Sequence, residues 1–288
     1  MTVAVLTDTA AALTPELAAE WGVHLVPLTI AVGGQAFRDT DVDLSTLLTG
    51  SPDAAGANGR VTTAGPPPSE FLAALDRTGP GTAAAVVVTV AARLSGTHAA
   101  AKIAAALAPI PIKVVDSGSA AGGQALVALA AAERARSGAG LDEVAAAART
   151  ATTQVRLVGC LESLDGLVRS GRVPGLAAAA VRRAGLQFVF ELRGGSIRPL
   201  RPAGGFPVAA ERMLARCISD GRGGSGTDVI VLGSAGSPRV TELTERVTQA
   251  AASGELALRR LWVGTFGTAI LVHAGPEVAG LAWRADRG

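Results

Sequence analysis

Two hydroxyls and a glycine stand together at Leu94-Ser95-Gly96-Thr97. They come directly after the β-branched run Ala84 to Val90 and directly before a helical period reaching about Leu107. A strand, a tight loop and a helix start in that order can hold an anion. In an open α/β sheet, ligands collect outside the carboxyl ends of the strands. The first turn of a helix there offers unpaired N–H groups and partial positive charge. Ser95 and Thr97 add hydroxyl donors, and Gly96 lets a ligand approach the backbone. The same spacing also makes Ser95 a plain helix cap, and spacing alone does not separate the two roles. A second polar loop, Thr62-Thr63-Ala64-Gly65-Pro66-Pro67-Pro68, precedes another helix; read alone, it is a turn before a proline-started helix. Arg172, after Ser170-Gly171, reads as a solvated charge at a helix end. The three histidines, His24, His98 and His273, show no metal-ligand spacing. His24 sits inside a strand pattern, and His98 falls in the first turn of a helix.

The elements that must carry these residues alternate in the first half of the chain. Val3 to Leu6 is a short strand. Thr14 then caps a helix with Pro15 in its first turn and Gly22 past its end. His24 to Val32 reads as one strand, Gly33-Gly34 as a turn, and Ala36 to Arg38 as its returning partner. Ser51 to Pro68 is rich in Gly, Ala, Ser and Pro and reads as a loop. Helical periods cover Ser69 to Arg77, Thr97 to Leu107, Gly123 to Arg136 and Asp142 to about Thr152, with strands at Ala84 to Val90 and Ile112 to Val115. This order predicts a parallel sheet with helices on both faces. In the second half, Gln187 to Leu192 and Ser196 to Leu200 flank Gly194-Gly195 as a hairpin. Helices are expected at Pro207 to Ile218 and Arg239 to Ala252, and strands at Asp228 to Leu232, Leu256 to Val263, Thr268 to Val272 and Val278 to Trp283. The expected architecture is a two-domain α/β chain, with an N-terminal domain over residues 1–155 and a C-terminal domain with a mixed sheet over 156–288.

Several function classes lack their signatures. Gly221-Arg222-Gly223-Gly224-Ser225-Gly226 spells a dinucleotide fingerprint, but a helix precedes it and a strand follows, the reverse of the required order. No phosphate-loop lysine and no G-x-S-x-G elbow is present. Net charge is +2, from 26 basic and 24 acidic residues, with no polybasic run, so nucleic acid has no electrostatic footprint. Aromatics are 3% of the chain and tyrosine is absent, leaving few platforms for base stacking. Cys160 and Cys217 have no CxxC neighbour, which argues against a zinc site; they could form a single disulfide, and two buried free thiols are the favoured reading for a cytosolic chain. The longest apolar run is too short to span a bilayer, and the N-terminus is a poor signal peptide; the chain reads as cytoplasmic.

Taken together and in order, these segments resemble the DegV family over nearly the whole chain. Thr7-Asp8-Thr9 is similar to its TDS, Val26-Pro27-Leu28 to its VPL, and Arg38-Asp39 to its (Y/F)xD. Thr63 to Pro67 stands at its TSQPS, Leu94-Ser95-Gly96-Thr97 at its SSxLSGTY, and Asp116-Ser117 at its DS. Leu161-Glu162-Ser163-Leu164 with Ser170-Gly171-Arg172 resembles its LexLxxGGR, and His273-Ala274-Gly275-Pro276 its HxGPG. The departures are Ala64, Ala91 and Ala92 in place of polar residues, His98 for a tyrosine, Glu277 for the last glycine, and a thinned basic run at Arg201 to Gly205.

The resemblance implies a fatty-acid carrier rather than an enzyme. A long-chain fatty acid would lie in a tunnel between the domains, with no cofactor. A separate fatty acid kinase subunit would phosphorylate its carboxylate. Thr63 and Ser95 would hold that carboxylate, Gly96 and Thr97 would shape the loop, and Arg172 and His273 would complete the polar end. Two further readings compete. One is a divergent lipid-binding paralogue without a kinase partner. The other is a hydrolase or transferase using Ser95 with His273 and with Asp8 or Asp116. Beside them stands a nucleotide-binding regulator, which lacks a phosphate loop.

Overall fold

The computed structural model of the chain describes residues 2–42, 61–171 and 186–286. Three sheets organise them. The first is wholly parallel, with strand order β2-β1-β6-β7: β1 (Thr2–Asp8), β2 (Val23–Val26), β6 (Thr82–Thr89) and β7 (Ile112–Asp116). Between β1 and β2 lies α1 (Pro15–Trp21). Thr14 caps it by accepting from the Leu17 N–H, and Gly22 ends it at φ 68°. The outer face of this sheet carries α2 (Pro68–Asp76) and α3 (Thr97–Leu107).

The second sheet has six strands in the order β10-β9-β8-β13-β11-β12. They are β8 (Val155–Leu161), β9 (Phe188–Arg193), β10 (Ser196–Pro199), β11 (Gly226–Gly233), β12 (Leu258–Thr265) and β13 (Ala279–Asp286). Only β11 and β12 run parallel; the other pairs are antiparallel. Gly194 and Gly195, both at positive φ, turn the β9–β10 hairpin as expected. Strand period decides the two faces. On β8, Leu157 and Leu161 face one core, while Val158 and Cys160 face another built with α7 (Phe206–Gly221) and α8 (Pro238–Ala252).

The helix α4 (Ala121–Arg136) is buried over most of its length and packs against strands of both large sheets. A helix apolar on every side belongs in an interior, and its small residues let it sit close. A Cβ on Gly122 would stand 2.8 Å from the Ala282 Cβ and 2.9 Å from Leu232 Cδ1. After it, α5 (Leu141–Gln154) leads directly into β8.

Three expectations need correction. His24 to Val32 is two strands, not one. After β2 the chain breaks at Pro27, which has no N–H to give a sheet, and β3 (Thr29–Val32) joins a separate sheet. That third sheet is antiparallel, in the order β4-β3-β5, with β4 (Gln35–Arg38) and β5 (Thr62–Ala64). Residues 62–64 of the expected 51–68 loop are therefore a strand; residues 51–60 of it lie outside the described residues. Thr268 to Val272 is not a strand but the start of α9 (Thr268–Ala274), which follows a short helix α6 (Asp165–Arg169) in chain order. A short apolar run rich in β-branched residues does not reveal its period. Gly267 at its start and Gly275 at φ 77° past its end bound it as a helix.

Candidate functional site

Asp8, at the carboxyl end of β1, accepts from the backbone N–H of Val90 at 2.8 Å and of Ala10 at 3.2 Å. It thereby fixes the loops that leave β1 and β6. Burial pushes its carboxyl up to about 6 despite those bonds. Asp116 plays the same part at the end of β7, accepting from the N–H groups of Ala92 and Gly118. Gln124 of α4 donates to Thr7 Oγ1 at 2.9 Å. The ends of the parallel strands are thus held by polar side chains, buried at Asp8 and Gln124 and exposed at Asp116.

The crevice at those strand ends opens into a cavity of about 1030 Å³, its mouth included. The second sheet lines it with Leu157, Leu161, Phe190 and Leu192, the first sheet's loops with Ala10 and Val90, and α9 with Ala269 and Ile270. Among the described lining residues only three have polar side chains: Thr63, Ser95 and His273. All three belong to the set expected from sequence. Thr63 reaches the cavity from β5 and His273 from α9, and the threonine Oγ1 lies 2.5 Å from His273 Nε2.

The remaining expected residues are placed differently. Thr97 is fully buried and does not line the cavity; its Oγ1 lies 2.8 Å from Ser95 Oγ, and its N–H donates to that Oγ at 3.3 Å. Gly96 is the exposed N-cap of α3 and also stays off the cavity wall. Arg172 lies outside the described residues. Gly65 explains how two distant loops meet. Its Cα rests on the start of α3 so closely that a Cβ would stand 2.7 Å from Thr97 Oγ1.

A polar recess adjoins the cavity and shares Thr63 and His273 with it, adding Thr62, Arg169 and Ser170. A second recess holds Arg93 and Ser196 and shares Ser170 with the first. Arg93 and Arg169 are exposed, and neither forms an ion pair among the described residues. Sequence reasoning passed over both. Arg93 stands directly before Leu94-Ser95-Gly96-Thr97, which is the signal that was there to be used.

His98, His24, Cys160 and Cys217 do not line the cavity. His98 Nδ1 lies 3.1 Å from Thr89 Oγ1. Partial burial, then the nearby Arg77, lowers His24 from its ordinary value. Cys160 and Cys217 are free and buried, and burial pushes their thiols up to about 11 and about 12, which makes them poor nucleophiles. Among the described residues no cluster of three or more His, Cys, Asp or Glu could hold a metal. No helix there is long and apolar enough to cross a membrane.

Comparison with known proteins agrees with this geometry. A DegV domain-containing protein of Streptomyces coelicolor is 32% identical over 281 residues, covering 97% of each chain. A Thermus thermophilus protein of the DegV family, described for its fatty-acid binding, superposes with a TM-score of 0.85 at 24% identity, covering 99% of this chain and 100% of that one. The Streptococcus pneumoniae Fatty Acid Kinase B3 protein, loaded with linoleic acid, superposes with a TM-score of 0.82 at 22% identity over 99% of this chain and 100% of that one. The family model described as "Uncharacterised protein, DegV family" matches residues 2–286. On that match and the near full-length relative, the chain belongs to the DegV family.

Proposed function

We propose that this protein binds one long-chain fatty acid in the cavity and presents its carboxylate to a separate fatty acid kinase subunit. The observation that carries this reading is the distribution of polarity. An otherwise apolar lining holds Thr63, Ser95 and His273, and two of these also face a recess containing Arg169. An alkyl tail takes the apolar part, at about 0.8 kcal/mol per buried methylene. The head takes the hydroxyls and the imidazole. Because a tail of ~15 methylenes outweighs one or two hydrogen bonds, the tail sets affinity and the polar residues set orientation. The slot runs between the two halves of the chain, 1–155 and 156–288. Arg172 stays in the head-group set on the family resemblance alone.

In this reading the protein is the substrate carrier and the kinase supplies the chemistry. A carboxylate oxygen attacks the γ-phosphorus of ATP, the bond to ADP breaks, and the acyl phosphate remains. The hydrolase alternative finds no support in the bonds around Ser95. Its Oγ pairs with Thr97, while Asp8 and Asp116 give their carboxylates to backbone N–H groups.

The deciding experiment is to denature the purified protein, extract it and identify lipids by mass spectrometry. One fatty acid per chain is expected. An empty extract, repeated after incubation with mixed fatty acids, would overturn the reading. Acyl phosphate formation with a cognate kinase then separates the kinase carrier from a paralogue that only stores lipid.

A further inference from the structure

Asp39 follows β4 and is 6% exposed. Its Oδ2 accepts from Thr9 Oγ1 at 2.7 Å, and its Oδ1 has no partner among the described residues. A buried carboxylate so sparsely bonded costs stability, and burial pushes it up to about 6. An asparagine there would remove the charge. The one bonded oxygen of Asp39, Oδ2, has a structural role.

Its surroundings show which. The Thr9 hydroxyl that Asp39 accepts from is itself the acceptor for the Leu28 N–H at 3.0 Å, and the Asp39 N–H donates to the Leu28 carbonyl at 2.8 Å. Thr9 precedes Ala10, and Ala10 and Leu28 both line the cavity. On its other side Asp39 meets the start of α9: a Cβ on Gly267 would stand 3.6 Å from Asp39 Oδ2. Three residues on, the Val42 carbonyl accepts from Thr268 Oγ1 at 2.7 Å. Segment 39–42 thus ties α9, which carries His273, to the end of β1. It also directly continues the sheet that carries Thr63. The Thr63–His273 contact bridges two elements whose common anchor is this segment.

We infer that Asp39 is a positioning residue for the polar head of the cavity, clasping the start of α9 to the Thr9–Leu28 corner and so holding His273 against Thr63. It acts from a distance. Gly267 and His273 are six residues apart, about 9 Å along a helix, so the carboxylate does not touch the ligand. The inference rests on the fatty-acid reading of the cavity for its affinity readout, but not for its spectroscopic one.

The test uses the full chain with palmitate as probe, and the ring resonances of its three histidines. Asp39→Ala should weaken palmitate binding about tenfold, the loss of one well-placed head-group hydrogen bond. It should also move the His273 ring signals while those of His24 and His98 stay. Asp39→Asn keeps an oxygen for the Thr9 hydroxyl and should restore both. If Asp39→Ala does not fold, Thr9→Val, which removes only the hydroxyl, is read by the same two measures. A folded variant that binds palmitate as wild type does and leaves the His273 signals unmoved would overturn the clasp. A wild-type protein that binds no fatty acid would instead sink the carrier reading, and the His273 signals would still decide the clasp.

Discussion

Thr63 and His273 are 210 residues apart in sequence and 2.5 Å apart in space. With Ser95 they are the only described residues lining the cavity that have polar side chains, and in the proposed carrier they are what a head group would meet. Ser95→Ala or Thr63→Ala should each weaken fatty-acid affinity by about tenfold at most. Each should depress acyl phosphate formation further, because orientation and not retention is lost. Calorimetric titration beside a kinase-coupled assay checks the ranking, and a variant that keeps its fold yet binds no lipid would reverse it. Asp39 allows a second prediction. Its carboxyl is raised by burial to about 6, so it contributes stability fully present below the unfolded value of about 4 and lost as pH rises through 6. Asp39→Asn should therefore be more stable than wild type at pH 7, by roughly 2–3 kcal/mol. The advantage should vanish by pH 4, as urea unfolding across that range would show.

The elements meet at glycines and charged clusters. At Gly65, β5 lies on the first turn of α3, with no space for a side chain above Thr97. Gly65→Val should push the two apart, at a cost of about 1–3 kcal/mol. It should weaken lipid binding although residue 65 has no head group to touch; thermal unfolding and titration read the two effects separately. At the opposite end of the strands, Asp228 joins β11, β12 and β13 through Arg259, Arg260 and Arg284, and Glu133 of α4 adds a fourth side. Burial alone would raise the Asp228 carboxyl, but the bonds from Arg260, Arg259 and Arg284 outweigh it and hold the group well below the usual carboxylate range. Its stability contribution is present above about pH 4 and lost in acid. Asp228→Ala should cost about 3 kcal/mol at neutral pH, since it strands the Arg259 guanidinium and leaves Arg260 and Arg284 with Glu133 alone. That gap should narrow as pH falls.

At the scale of the molecule, α4 is the shared interior. One hydrophobic core runs from Val5 and Val86 of the first sheet through Ala125, Leu126 and Leu129 to Leu157, Ile230 and Leu232 of the second. A core common to both sheets predicts one cooperative transition. Tryptophan fluorescence, which reports Trp21, Trp262 and Trp283, and far-UV circular dichroism should give coincident curves. Bound fatty acid should shift both together, since ligand binding to the native state alone stabilises the whole. Two separated transitions would show that the halves fold independently of α4.

Much of this is legible in the amino-acid sequence. Thr14, Pro15 and Gly22 delimit α1 because caps and φ preferences are local chemistry. Gly194-Gly195 marks its hairpin for the same reason. The alternation of strand and helix from Val3 to Arg136 announces a parallel sheet, since short strands joined by helices pack in few other ways. Ser95, Thr63 and His273 were found through motifs that keep their order along the chain. What tertiary structure alone decided is which of those residues face the cavity. Thr97 is buried under Gly65, while Ser95, two residues earlier, reaches the cavity. Thr268 to Val272 reads as strand by propensity, yet lies as a helix where Gly267 meets Asp39. Arg169 stands beside His273 only because α6 and α9 pack together. Local sequence sets the conformation each segment prefers. Which side chains share one cavity depends on contacts between segments more than two hundred residues apart, and no single segment encodes those.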